Sequence, residues 1–101
     1  MDTSQMKQAM EMVSKMKKIQ KELEKTDIDV ESGKGEVKVI INGVQKVKEI
    51  KLDPEYLANA KPQDIEKTIV KTLNSAIEKS QKLQSDQLKS VTGGMNIPGL
   101  S

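Results

Sequence analysis

The chain has almost no aromatic residues with which to build a core. Among its 101 residues there is one Tyr and no Phe or Trp, so six Met residues and the aliphatic residues must fill the interior. Met fills irregular gaps but defines a packing arrangement poorly, and a domain of this length buries only a modest fraction of its surface. The composition therefore favours one small domain that completes its core by forming an oligomer.

The residue types that most often carry catalysis or hold metals are missing. The chain has no His and no Cys, which removes the usual general base, the commonest metal ligand and all thiol chemistry. The acidic residues Asp27, Asp29 and Glu31 lack the further ligands that a calcium loop needs at fixed spacing. The turn Gly33–Gly35 lacks the spacing of a phosphate-binding loop. We therefore expect no enzyme activity, no cofactor, no metal and no small-molecule substrate.

The sequence shows no signal for export or membrane insertion. Residues Met1 to Gln5 are mostly polar and contain no apolar signal core. No stretch approaches the length of a transmembrane helix. These absences predict a cytoplasmic protein without membrane contact.

Residues 3–26 have the apolar spacing of a helix, and Thr3 or Ser4 can cap its start. The apolar residues follow a coiled-coil-like heptad seam that is interrupted at Gln20. Because the core is thin, we predict that this seam forms the interface of a homodimer. The predicted interface residues are Met6, Met10, Val13, Met16 and Leu23.

Three segments alternate apolar and polar residues as strands do: residues 27–32, 36–41 and 44–52. The turn that begins at Gly33 joins the first two strands, and Asn42-Gly43, the strongest hairpin dipeptide, joins the next two. Val47 is out of phase with the apolar residues after it, which predicts a bulge near Val47–Glu49. The three strands therefore form an antiparallel meander.

A helical turn begins at Asp53 and Pro54, residues 58–61 form a connector, and a long helix covers residues 62–90. Its far part, from Ser80, has few apolar residues, which predicts an arm that projects from the core. The whole pattern predicts an α+β fold of order α-β-β-β-α with two long helices. We assign one domain to residues 1–91 and a flexible tail to residues 92–101, since Gly93-Gly94 stops the helix.

Positive charge is unevenly distributed, although the net charge is only +2. All 17 basic residues are Lys, which suits contact with phosphates better than the reading of bases. Lysines along the two long helices can build a positive surface. The predicted DNA-binding residues are Lys15, Lys18, Lys21, Lys25, Lys79, Lys82 and Lys89. The lysines of the sheet are second candidates: Lys38, Lys46, Lys48 and Lys51.

Four stretches resemble the YbaB/EbfC family of bacterial nucleoid-associated proteins. They are Met6-Lys7-Gln8-Ala9 with Gln20-Lys21-Glu22-Leu23, Gly33-Lys34-Gly35-Glu36-Val37-Lys38-Val39 with Ile41-Asn42-Gly43, Ile50-Lys51-Leu52-Asp53-Pro54, and Thr92-Gly93-Gly94-Met95-Asn96-Ile97-Pro98-Gly99. The resemblance covers essentially the whole chain. It implies a homodimer with projecting helices, largely non-specific binding of double-stranded DNA, and roles in nucleoid organisation and gene regulation, in a bacterial or plastid setting.

Two other functions stay open from the residues alone. The apolar seam and the segment Ile97-Pro98-Gly99-Leu100 fit a protein-interaction module, an adaptor for a replication, repair or regulatory partner with incidental DNA contact. The first helix also fits binding to a membrane surface, but it lacks the aromatic anchors of such helices, which ranks this function last.

Overall fold

The computed structural model describes residues 3–92. The elements, in chain order, are helix α1 (Thr3–Lys25), strands β1 (Asp27–Glu31), β2 (Val37–Asn42) and β3 (Val47–Leu52), the short helix α2 (Pro54–Asn59) and the long helix α3 (Pro62–Thr92). The predicted α+β class and element order are confirmed, with α2 as a short addition. The predicted helix stop at Gly93-Gly94 and most of the predicted tail lie outside the described residues.

The three strands form an antiparallel sheet in the order β1-β2-β3, as the alternating pattern predicts. On β2, Ile40 pairs with Glu49 but the next residue, Ile41, pairs with Val47, so Lys48 is an extra residue on β3. The predicted bulge is therefore confirmed. It brings Val47 back onto the apolar face, which explains why this residue is out of phase in the sequence.

The turn between β2 and β3 is wider than the dipeptide Asn42-Gly43 alone predicts, and β3 begins at Val47 rather than near residue 44. The side-chain oxygen of Asn42 accepts hydrogen bonds from the amides of Val44 (3.1 Å) and Lys46 (2.9 Å). Gln45 takes a positive φ of 63°. The hairpin is present, but the Asn42 side chain organises a longer loop.

The core lies between the sheet and α3. Val37, Val39 and Ile41 of β2 are fully buried on one face, and Val30 of β1 and Ala76 of α3 are buried with them. No Phe or Trp is available, so small β-branched residues fill the centre. They pack closely because their stiff side chains fit a pleated surface.

The helix α2 holds the sheet close to the start of α3. Asp53 precedes it and Pro54 is its first residue, as predicted, but the Asp53 side chain makes no capping hydrogen bond. The helix continues into the predicted connector as far as Asn59. The hydroxyl of Tyr56, the one aromatic residue, lies 2.8 Å from the Thr68 hydroxyl of α3.

The far half of α3 extends beyond the sheet, but it is one member of a helix pair. Ser80 is fully buried, and its hydroxyl donates to the carbonyl oxygen of Asn42 at 2.6 Å. Beyond it, Leu83 and Gln87 line a small cleft with Ile19 and Leu23 of α1. The predicted arm is therefore an antiparallel pair of helices, because α1 folds back along α3. The chain is elongated, at 67 × 24 × 16 Å.

Neither long helix has the composition of a membrane span. Within residues 3–92, no helix is both long enough and apolar enough to cross a bilayer.

Candidate nucleic-acid interface

The helix α1 carries the largest excess of positive charge. It contains six lysines and three glutamates, whereas β1 contributes three acidic residues and no lysine. The longer helix α3 carries five lysines and four acidic residues. Because DNA is a polyanion, α1 is the element that should attract it most strongly.

Four lysines lie on one side of α1, and we call them the α1 ridge: Lys7, Lys18, Lys21 and Lys25. At about 100° per residue they fall within about 60° around the helix axis. They extend over about 27 Å, the length of roughly eight base pairs. Lys15 lies about 60° to one side of Lys18, towards α3. The ridge therefore includes three of the four predicted lysines.

A second line of lysines lies on α3, and we call it the α3 ridge: Lys71, Lys82 and Lys89. These residues fall within about 20° around the axis, again over about 27 Å. Lys79 lies about 60° away from Lys82. Two of the three predicted α3 lysines therefore share a face. Sequence reasoning missed Lys7 and Lys71, although their angular positions on the helices were enough to find them.

The two ridges do not converge within one chain. The helix α1 faces α3 through Ile19 and Leu23, and α3 faces α1 through Leu83 and Gln87. Lys21 of the α1 ridge and Lys82 of the α3 ridge both point away from that contact, since each lies more than about 90° from it around its own axis. A single chain therefore presents positive charge on opposite outer sides of the helix pair.

The lysines of the sheet are mostly neutralised by the acidic strand β1 or by a neighbour. Lys48 Nζ lies 2.8 Å from Asp27 Oδ1, and Lys38 Nζ lies 3.5 Å from Asp29 Oδ2. Lys51 Nζ lies 4.0 Å from Glu49 Oε1. These ion pairs give the outer face of the sheet a mixed charge, which makes it a poor surface for a polyanion.

The helix lysines have fewer acidic partners. In the part of the chain that the structure describes, no ion pair involves Lys7, Lys15, Lys18, Lys21, Lys25, Lys71, Lys79 or Lys82. Their ammonium groups remain available to an external anion. This difference between the helices and the sheet supports the ranking that the sequence predicts.

The residues predicted to form a dimer interface separate into two groups. Leu23 is only 3% exposed and packs against Gly43 of its own chain. The other four form an exposed apolar stripe on α1, which we call the α1 stripe: Met6, Met10, Val13 and Met16. Their use as an interface between chains stays a prediction.

A second exposed apolar surface lies on β3 and was missed in the sequence. Ile50 pairs with Val39 on the core side of the sheet, yet Ile50 is 41% exposed and Val39 is fully buried. Val47 is similarly exposed. The cause is that α3 packs mainly on β1 and β2. We call Val47 and Ile50 the sheet-edge patch; it is an uncovered continuation of the core face.

Comparison with known proteins gives independent information on the family and the fold of the chain. The family model described as the YbaB/EbfC DNA-binding family matches residues 1–95. A nucleoid-associated protein of Thermoanaerobacter pseudethanolicus is 30% identical over 94 residues, which is 93% of this chain and 85% of that protein. The crystal structure of an uncharacterized protein of Helicobacter pylori has a TM-score of 0.79 at 19% identity, covering 92% of this chain and 99% of that chain. That likeness concerns the fold.

Proposed function

Because the chain belongs to the YbaB/EbfC DNA-binding family, we propose that it binds double-stranded DNA through the lysines of α1 and α3 as a homodimer. The α1 ridge is the observation that carries this proposal. Each lysine near a phosphate displaces a condensed counterion, and the release of counterions drives association. The lysines of the ridge are spread over about 27 Å, so they can contact several phosphates of one DNA segment.

Binding is expected to be largely independent of DNA sequence. Arg is the commonest specific reader of guanine edges, and the chain has none. Lys acts as a point charge that positions the backbone and carries little sequence information. Tyr56 bonds Thr68 through its hydroxyl, so the one ring is engaged between α2 and α3 and is not presented as a platform for unstacked bases.

The homodimer brings together two copies of each ridge. The sheet-edge patch supports this assembly, since Ile50 and Val47 lie on the apolar face that α3 leaves uncovered. A second copy placed there would extend the core in the way that a thin, Met-rich composition favours. The α1 stripe predicted from the sequence is the other surface available for pairing.

The biological role that follows is organisation of the nucleoid and gene regulation in the cytoplasm, by binding rather than by catalysis. The similarity to a nucleoid-associated protein of Thermoanaerobacter pseudethanolicus supports this role. A dimer with ridges on separate outer faces can contact two segments of DNA. Bridging of this kind compacts DNA without any base-specific contact.

An equilibrium titration of labelled duplexes, followed by fluorescence anisotropy, tests the proposal. At low salt, unrelated duplexes of equal length should bind with similar affinity. If no duplex binds at low salt, the proposal is overturned.

A second candidate function is a protein-interaction module, favoured by the two exposed apolar surfaces. In that case a protein partner, rather than a second copy, covers the sheet-edge patch. This function would be supported if the chain were monomeric at micromolar concentration and did not bind DNA.

A further inference from the structure

The C-terminal end of α1 receives hydrogen-bond donors from the turn between β2 and β3. The last carbonyl groups of a helix have no partner within the helix. The Leu23 carbonyl oxygen accepts a hydrogen bond from the Gly43 amide at 2.8 Å. The Glu24 carbonyl oxygen accepts one from Asn42 Nδ2 at 3.1 Å. These hydrogen bonds attach the end of α1 to the sheet, and we call the residues that make them the α1 joint: Leu23, Glu24, Asn42 and Gly43.

Asn42 also connects the joint to the rest of the fold. Its residue is buried, and its Oδ1 accepts hydrogen bonds from the amides of Val44 and Lys46, which hold the turn in shape. Its backbone carbonyl oxygen accepts from the Ser80 hydroxyl of α3 at 2.6 Å. One buried residue therefore bonds to α1, to the turn and to α3, and a buried network whose members are all satisfied is rigid.

The rest of α1 is held much less tightly than its end. Leu23 is the one buried residue between Thr3 and Lys25. Met12 and Ile19 are partly buried, and every other residue of the helix is exposed. From Leu23 the helix extends for about 30 Å. Because so few side chains hold this length in place, we expect the α1 joint to set the direction of the helix.

We propose that Asn42 is a positioning residue for DNA binding, because its side-chain amide fixes the direction of α1 and thereby places the α1 ridge. This inference rests on the proposed binding of DNA by that ridge. Lys7 lies about 24 Å from the joint along the helix axis. A pivot of about 10° at the joint would displace Lys7 by about 4 Å, which is the full length of an ion pair. A fixed helix also avoids the entropy cost of ordering the ridge when DNA binds.

The variant Asn42→Asp tests the side-chain amide alone. The side chain keeps its shape and keeps the Oδ1 acceptor that organises the turn. The donor to Glu24 is replaced by a carboxylate oxygen, which would face the Glu24 carbonyl oxygen at the 3.1 Å of the present hydrogen bond. Two acceptors in this position repel each other, and negative charge is unfavourable at the C-terminal end of a helix. The end of α1 should therefore detach from the turn while the hairpin persists.

The direction of α1 can be measured in the absence of DNA as a distance between spin labels on α1 and α3. The chain contains no cysteine, so Ser14→Cys and Ser85→Cys, both at exposed positions, give two specific attachment sites. Labelled chains are diluted with unlabelled parent chain, so that pulsed EPR reports the distance within one chain. The parent should give a narrow distribution of distances, and Asn42→Asp should give a broader one.

Two further variants separate positioning from a general loss of stability. Val30→Ala destabilises the core, where Val30 is buried, without changing a residue of the α1 joint. It should keep the distance distribution and the DNA affinity of the parent. Gly43→Ala keeps the Asn42 amide but places a Cβ 2.9 Å from the Leu23 carbonyl oxygen, so it should broaden the distribution as Asn42→Asp does. If circular dichroism shows that Asn42→Asp does not fold, Gly43→Ala decides.

Titration of duplex DNA at low salt completes the test. Asn42→Asp should bind several-fold more weakly than the parent and with a smaller salt slope, because fewer lysines reach phosphates together. The proposal is overturned if the folded joint variants keep the distance distribution of the parent, or if they broaden it and bind DNA as tightly as the parent. Equal weakening by Val30→Ala would also overturn it. If the parent binds no duplex, the proposed function fails, whereas the EPR distances still decide whether Asn42 fixes the direction of α1.

Discussion

Gly43 lies directly against Leu23, where the β2–β3 turn meets the last turn of α1. The Gly43 amide donates to the Leu23 carbonyl oxygen at 2.8 Å. A Cβ on Gly43 would lie 2.7 Å from Leu23 Cδ2 and 2.9 Å from the Leu23 carbonyl oxygen. This approach fixes the end of α1 on the sheet and thereby sets the direction of the α1 ridge.

Gly43→Ala should destabilise the chain by roughly 1–3 kcal/mol, because the methyl group forces the turn away from Leu23. Urea unfolding measures the change. The matched control is Gly33→Ala, since a Cβ at Gly33 meets nothing within 4 Å. Equal stability of the two variants would show that the close approach is unimportant.

Ser80→Ala should lower the free energy of unfolding by about 1–3 kcal/mol, because it removes the hydrogen bonds of a fully buried hydroxyl. The Ser80 hydroxyl donates to the Asn42 carbonyl and accepts from the Gln45 amide at 3.1 Å. Ser90→Ala is the control, since Ser90 is exposed and its hydroxyl bonds within α3. In thermal unfolding, the Tm should fall clearly for Ser80→Ala and change little for Ser90→Ala.

DNA affinity should fall steeply with salt, because contact between lysines and phosphates is the main source of binding. If about six phosphates are neutralised, log affinity should fall with log salt at a slope near −5. Anisotropy titrations at several salt concentrations give the slope. A slope near zero would exclude lysine–phosphate contact as the basis of binding.

Replacing Lys18, Lys21 and Lys25 by Gln should weaken binding to all duplexes alike. Each lost contact should reduce the magnitude of the salt slope by about 0.9. The control replaces the ion-paired lysines of the sheet, Lys38 and Lys48, by Gln. If the helix variant bound as tightly as the parent, the α1 ridge would not be the contact surface, and Lys71 and Lys82 of the α3 ridge would be replaced next.

Ile50→Lys should shift a dimer towards monomer, because it places a charge on the uncovered apolar face of the sheet. Sedimentation equilibrium measures the shift. Met10→Lys provides the comparison, since it alters the α1 stripe instead. If only Met10→Lys caused dissociation, the interface would lie on α1, as the heptad seam predicts.

Much of the local structure could be predicted from residue order. The out-of-phase position of Val47 was sufficient to predict the bulge, because side chains alternate strictly along a strand. Pro62 and the apolar spacing after it were sufficient for the start of α3. The length of the β2–β3 turn was not predictable, because Asn42 binds two amides there and Gly43 is held against a distant helix.

The candidate site was predicted less completely. The angular position of each residue is enough to show which side of a helix carries lysines. Lys7 and Lys71 could therefore have been predicted from the sequence. The sequence could not predict which lysines form ion pairs. Lys48 contacts Asp27 only because β1 and β3 lie in the same sheet as β2. The exposure of Ile50 also depends on where α3 crosses the sheet.

The sequence by itself determined the elements, their order and the absence of Arg, His and Cys, because periodicity and residue chemistry are local properties. Only the tertiary structure decided that Ser80 is buried, that the arm is a helix pair, and that Leu23 belongs to the core of its own chain. These outcomes depend on contacts between residues far apart in the chain, such as Ser80 with Asn42 and Leu23 with Gly43. Such contacts form only when the helices and the sheet pack together, and no local pattern encodes them.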